Sequence, residues 1–202
     1  FQLRIGRDLA RPRILCSASF EERRKGAGVL ARAFEIVKRT VPGAIVQYSG
    51  HMPDEVRNEL LGAVASEVRK DIEFLGVGSL EDLPRQYAEA AVTVLPSIWE
   101  AQGMVLTESL ACGTPVVGSR HGGIPDCIEE GIGVLFDPGE TVREATNAQG
   151  LAQAIIEALD LYKDPGLAAR CRGRAERLSW EALGPRIEVL FLRVAGHCSG
   201  VN

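Results

Sequence analysis

Residues 91–137, AVTVLPSIWEAQGMVLTESLACGTPVVGSRHGGIPDCIEEGIGVLFD, decide the fold. AVTVLP (91–96) alternates β-branched residues and stops at Pro96, the pattern of a strand. Gly103 to Cys112 has helical spacing and ends at Gly113. PVVGS (115–119) is a second strand, Ile124 to Glu130 a brief helix, and GVLFD (133–137) a third strand. Strands alternating with helices predict βαβ units and a parallel sheet.

The same alternation extends upstream. ILCSA (14–18), AIVQYS (44–49) and DIEFL (71–75) read as strands. Between them, Val29, Leu30, Ala33, Phe34 and Val37 recur at helical spacing, as do Val56, Leu60, Val64 and Val68. Leu80 to Ala90 is a short helix. After Gly150 the strand signals stop, and 151–162, 165–178 and 180–194 read as three helices. The expected fold is a doubly wound, Rossmann-like α/β domain over residues 13–196, with a linker at 1–12 and a tail at 197–202. In such folds ligands sit at the carboxyl ends of the strands. That selects the loops 17–25, 49–53, 76–80, 96–103 and 119–125.

Composition narrows the class. The chain has 202 residues, 46% hydrophobic and 25% charged, with a net charge of −4. An acidic balance argues against a nucleic-acid binder, so an anionic ligand must be held by local groups. Five scattered cysteines (16, 112, 127, 171 and 198) with no C-x-x-C pair indicate neither a disulfide framework nor a zinc site. A reducing, cytoplasmic setting is the simpler reading, with Cys16 and Cys112 packed as small hydrophobes. No apolar run reaches the roughly 18 residues needed to span a bilayer. The dinucleotide fingerprint G-x-G-x-x-G, the P-loop, G-x-S-x-G and H-E-x-x-H are all missing.

The chemistry concentrates in three loops. If Gly103 opens a helix, the amides of Gly103, Met104 and Val105 face outward at a positive dipole end, suited to a phosphate or a sugar hydroxyl. Glu100 lies just before that end and Glu108 about 7.5 Å inside it along the axis. Carboxylates repel phosphate but accept from hydroxyls, so the layout fits a polyol at Glu100, a diphosphate at the amides and a ribose diol at Glu108. On spacing alone, an exposed loop charge and a solvated helix residue are the simpler reading of the pair. Arg23, Arg24 and Lys25 leave the first strand toward the same crevice, where a cation neutralises a diphosphate; the plain alternative is a basic run offset by Glu21 and Glu22. Gly122 and Gly123 allow close backbone approach and offer amides to a sugar or phosphate, and Asp126 caps or flanks the following helix. Val77 and Gly78 offer main chain for a base to stack against. His121 is a candidate proton carrier or an ordinary loop histidine, and Trp99 reads as core or domain contact.

E-A-Q-G-M-V-L-T-E, then S-L-A-C-G-T-P-V-V, then H-G-G-I-P-D resemble the donor-binding domain of retaining glycosyltransferases of the GT-B type, more narrowly family 4 (glycosyl transferases group 1). The likeness covers roughly Ile14 to Leu161. It implies that Glu100 holds donor-sugar hydroxyls, that Glu108 binds the ribose diol, and that the amides at 103–105 meet sugar and phosphate. It also implies that Lys25 is the diphosphate lysine. The family's arginine five residues earlier is here Phe20, for which Arg23 or Arg24 would substitute, and Gln102 stands where the family often has Phe.

The resemblance implies sugar transfer from a nucleotide-diphosphate sugar, UDP- or GDP-linked, with retained configuration and neither metal nor cofactor. The acceptor would be bound by an N-terminal domain of a longer parent. A chain opening on Phe1 fits the isolated C-terminal half, inactive alone, with Trp180, Phe191 and Leu192 as surface that the other domain covers. Peripheral membrane association of the parent is compatible with lipid-linked acceptors. The alternatives are a nucleotide-sugar 2-epimerase of the same architecture and a non-catalytic nucleotide-sugar binding module.

Overall fold

Successive side chains on a strand point to opposite faces, and here both faces are buried. Ile14 and Cys16 join one core while Leu15 joins another; Val94 and Leu95 divide in the same way, as do Val117 and Val116. A sheet apolar on both sides needs helices on both sides. The computed structural model describes residues 8, 10–79, 81–139 and 145–198. Its six strands are β1 (Arg13–Ser17), β2 (Ile45–Ser49), β3 (Ile72–Gly76), β4 (Val92–Leu95), β5 (Val116–Ser119) and β6 (Gly133–Phe136). They pair in parallel in the order β3-β2-β1-β4-β5-β6. Ile14 faces Val46 on one side and Val92 on the other.

Helices α1 (Ala27–Thr40) and α6 (Ala148–Leu161) cover one face, burying Val29, Phe34, Leu151 and Ile155. The other face is covered by α4 (Asp82–Glu89), α5 (Met104–Ala111) and α7 (Leu167–Arg177) through Tyr87, Leu106, Leu110 and Leu167. Each such Leu, Ile or Phe stabilises by about 1.5–3 kcal/mol. The last helix, α8 (Trp180–Cys198), contains Pro185 and leaves Trp180, Phe191 and Leu192 exposed. Strand order reverses between β1 and β4, so the loops leaving those two strands open onto the crevice where ligands bind in open α/β sheets.

The structure departs from the sequence pattern in three places. The helix expected from Pro53 to Val68 is two pieces, α2 (Asp54–Gly62) and α3 (Ser66–Arg69). Ala65 is extended and donates its N–H to Glu35 Oε1 (2.6 Å), and the break turns Val64 into the core. The helix expected at 124–130 is only a 3₁₀ turn, Pro125–Cys127, because Ile128 is already extended. Asp126 therefore caps no helix; it lies inside the turn, and its carbonyl accepts from Arg174. Within the expected linker, Pro12 is buried and its carbonyl accepts from the Ile45 N–H (3.0 Å), so the chain packs before β1 begins. Residues 1–7, 9 and 199–202, from the expected linker and tail, lie outside the described residues.

Candidate functional site

The loop leaving β1 makes a 3₁₀ turn over Arg23–Lys25, and the Ile98 N–H donates to the Arg24 carbonyl (3.1 Å). That bond joins the β1 loop to the β4 loop. It sets Lys25 Nζ 2.6 Å from Glu100 Oε1, with both side chains 17% exposed. Arg24 reaches the same place. Its Nη1 donates to the Trp99 carbonyl (2.5 Å) and lies 3.8 Å from Glu100 Oε1, while Glu22 grips its other face. Arg23 turns away and pairs with Glu59 on α2 (3.0 and 2.9 Å). Phe20 is buried, edge-on to Tyr48 at 5.4 Å. Of the two candidate arginines, only Arg24 shares the crevice with Lys25. Below them burial pushes the Cys16 thiol up to about 12, with the Lys25 charge pulling weakly the other way.

Gly103 precedes α5 at φ +75°, a left-handed conformation that side chains resist. Among the described residues, the amides of Gly103, Met104 and Val105 donate to no other group. They are the unpaired donors of a helix start. The Gly123 N–H donates to the Glu100 carbonyl (3.0 Å), so it fixes the Glu100 loop instead of offering itself to a ligand as expected. A Cβ on Gly122 would meet the Glu100 carbonyl at 2.5 Å, and one on Gly123 would collide with the Ala101 carbonyl. These glycines let the β5 loop press against the β4 loop.

Lys25, Glu100, Gly103, Met104 and Val105, with Ser17, line a pocket of about 340 Å³. Glu108 lies one turn further along α5, in an adjoining groove of about 710 Å³ that shares Gln102 and Met104. Its Oε2 accepts from the Tyr87 hydroxyl (2.8 Å). Tyr87 is a site residue that the sequence reading missed. A tyrosine on the buried face of α4 was a signal, since a buried phenol needs a partner. Val77 and Gly78 lie exposed after β3 and line neither cavity. Beside them Ser79 and Asp82 form a reciprocal cap that starts α4. Trp99 is 55% exposed and edge-on to His121 at 5.1 Å, so it is not a core residue. The Gln102 carbonyl accepts from the Cys127 thiol (2.8 Å). Among the described residues no cluster of His, Cys, Asp or Glu could hold a metal ion, and no helix is long and apolar enough to cross a membrane.

A Rossmann-like sheet thus brings cations, Glu100 and unpaired helix amides together at its switch point, with Glu108 in the adjoining groove. The family model for glycosyl transferases group 1 matches residues 11–161, and the chain belongs to that family. It is 31% identical over 185 residues to the amylovoran biosynthesis glycosyltransferase AmsK of Erwinia amylovora, covering 87% of this chain and 44% of that one. Among solved structures it resembles sucrose-phosphate synthase from Thermosynechococcus elongatus, with a TM-score of 0.75 and 29% identity, covering 94% of this chain and 47% of that one. Anabaena HepE, solved in complex with UDP-glucose, shares the fold at a TM-score of 0.71 and 23% identity, over 89% of this chain and 48% of that one. The chain thus spans about half the length of the relatives it matches.

Proposed function

We propose that this chain is the donor-binding domain of a retaining glycosyltransferase, which moves a sugar from a nucleotide-diphosphate sugar to an acceptor held by an N-terminal domain. The observation that carries this is the convergence, at the switch point, of Lys25, Glu100 and the unpaired amides of α5. Support also comes from the coverage of about half of AmsK and from the UDP-glucose complex of a protein with the same fold.

In this reading Lys25 and Arg24 face the diphosphate, and Arg24 supplies the second cation that Phe20 does not. The amides at 103–105 bind phosphate or sugar oxygens, Glu100 accepts from sugar hydroxyls and Glu108 from the ribose diol. When the bond from the anomeric carbon to the diphosphate breaks, charge grows on the leaving oxygen, where preorganised cations and amides stabilise it most. A helix terminus contributes about 0.3–1 kcal/mol, up to about 2 when partly buried. Micromolar binding needs about 8 kcal/mol, so the cations and the ribose contacts carry most of the affinity.

Calorimetry of the protein against UDP, GDP and their sugars tests the proposal. Micromolar to low-millimolar binding of at least one diphosphate, with weaker binding of its monophosphate, is expected. Absence of binding to every nucleotide overturns it.

A further inference from the structure

Glu108 stands on the exposed side of α5, where a glutamate ordinarily samples several rotamers. Here one of its oxygens is held. The Tyr87 hydroxyl donates to Oε2 at 2.8 Å, and Tyr87 itself is only 1% exposed. Tyr87 belongs to a buried cluster with Leu15, Ala88 and Cys112, and the Thr114 hydroxyl donates to the Tyr87 carbonyl (2.6 Å), so side chain and backbone are both held. We infer that Tyr87 is a positioning residue: its buried hydroxyl fixes the Glu108 carboxylate in one orientation and leaves Oε1 to accept from a ribose hydroxyl. This rests on the ribose role proposed for Glu108 and adds the residue that sets its geometry.

The chemistry is one-directional. An ionised carboxylate can only accept, so the phenol must donate. Burial and the neighbouring Glu108 charge both push the phenol well above its ordinary value, which keeps that proton in place at working pH. Ser17, which lines the pocket that holds Lys25 and Glu100, pulls the same phenol the other way and more weakly. A carboxylate already ordered loses less rotamer freedom on binding, so the contribution of Tyr87 should appear only when a ribose hydroxyl is present.

The test is Tyr87→Phe, which conserves the ring; its thermal midpoint shows that the fold persists. Affinities are measured by calorimetry for UDP and GDP and for their 2′,3′-dideoxy forms, in wild type, Tyr87→Phe, Glu108→Gln and the double variant. The expected result is a loss of about 3–10-fold for the ribose nucleotide, the scale of one modest hydrogen bond, and under about twofold for the dideoxy form. In the Glu108→Gln background the Tyr87 change should add under about twofold. Equal losses for both sugars, or full additivity, would reduce Tyr87 to a packing residue and overturn the inference alone. A wild type that binds the two sugars alike overturns the role of Glu108, and this inference with it.

Discussion

Replacing Gly123 with alanine would push a methyl group into the loop that carries Glu100. An ideal Cβ there lies 2.7 Å from the Ala101 carbonyl carbon, closer still to its oxygen, and 3.2 Å from Gln102 Cα. Carbon atoms rest at about 3.5–4.0 Å, so the loop must retreat by roughly 1 Å. The retreat also stretches the Gly123 N–H to Glu100 carbonyl bond, now 3.0 Å. Overpacking of this kind costs about 1–3 kcal/mol, and the lost hydrogen bond about 0.5–1.5 more. For a chain of this length the thermal midpoint should fall by about 5–15 °C. Glu100 would shift against Lys25, 2.6 Å away, and a misplacement near 1 Å is worth up to about 10²-fold in transfer by an enzyme containing this domain. Differential scanning calorimetry and nucleotide-sugar titration read the two effects. Gly62→Ala is the control: nothing lies within 4 Å of its Cβ, and a gain of about 0.5–1 kcal/mol is expected. Gly123→Ala that melts and binds like wild type would refute the view that this glycine holds the Glu100 loop.

Lys25→Ala should weaken nucleoside diphosphate binding by about tenfold, or about 1.4 kcal/mol, and leave the monophosphate nearly unchanged; equal losses would show that the ammonium does not read the second phosphate. Phe20→Arg restores the residue the family usually carries at that position, but here it would bury a guanidinium beside Tyr48. A stability loss of about 3–5 kcal/mol in urea unfolding is expected, and tighter diphosphate binding without that loss would contradict the placement. The fold should also weaken in alkali. Burial raises the Cys16 thiol from 9.0 to about 12 and raises the Tyr48 and Tyr87 phenols as well. The unfolded chain then releases these protons first. The Cys16 contribution is whole below pH 9 and is lost as pH climbs toward 12, and the phenols extend the loss upward. A flat stability profile from pH 8 to 11 would count against buried, neutral groups.

Much of the fold was legible because its signals are local. The six strands and the start of α5 appear as short apolar runs, a 3.6-residue period and a glycine at a helix end. The break between α2 and α3 was not legible, since Val56, Leu60, Val64 and Val68 keep helical spacing across it. At the break the Ala65 amide goes to Glu35, thirty residues away in the chain. The 3₁₀ turn at Pro125 was hidden for a related reason: its end depends on packing against α7, whose Arg174 holds two carbonyls of the turn.

By itself the sequence determined the doubly wound α/β class, the loops that face the ligand and the family resemblance, all of which lie in contiguous residues. Only the tertiary structure decided which side chains meet. Lys25 and Glu100 are 75 residues apart and pair because β1 lies beside β4, an adjacency set by non-local strand order. The same packing sends Phe20 inward, turns Arg23 toward Glu59, leaves Arg24 at the crevice and brings Tyr87 to Glu108. Periodicity states which face of an element is apolar, but the neighbour across that face exists only once the sheet is assembled.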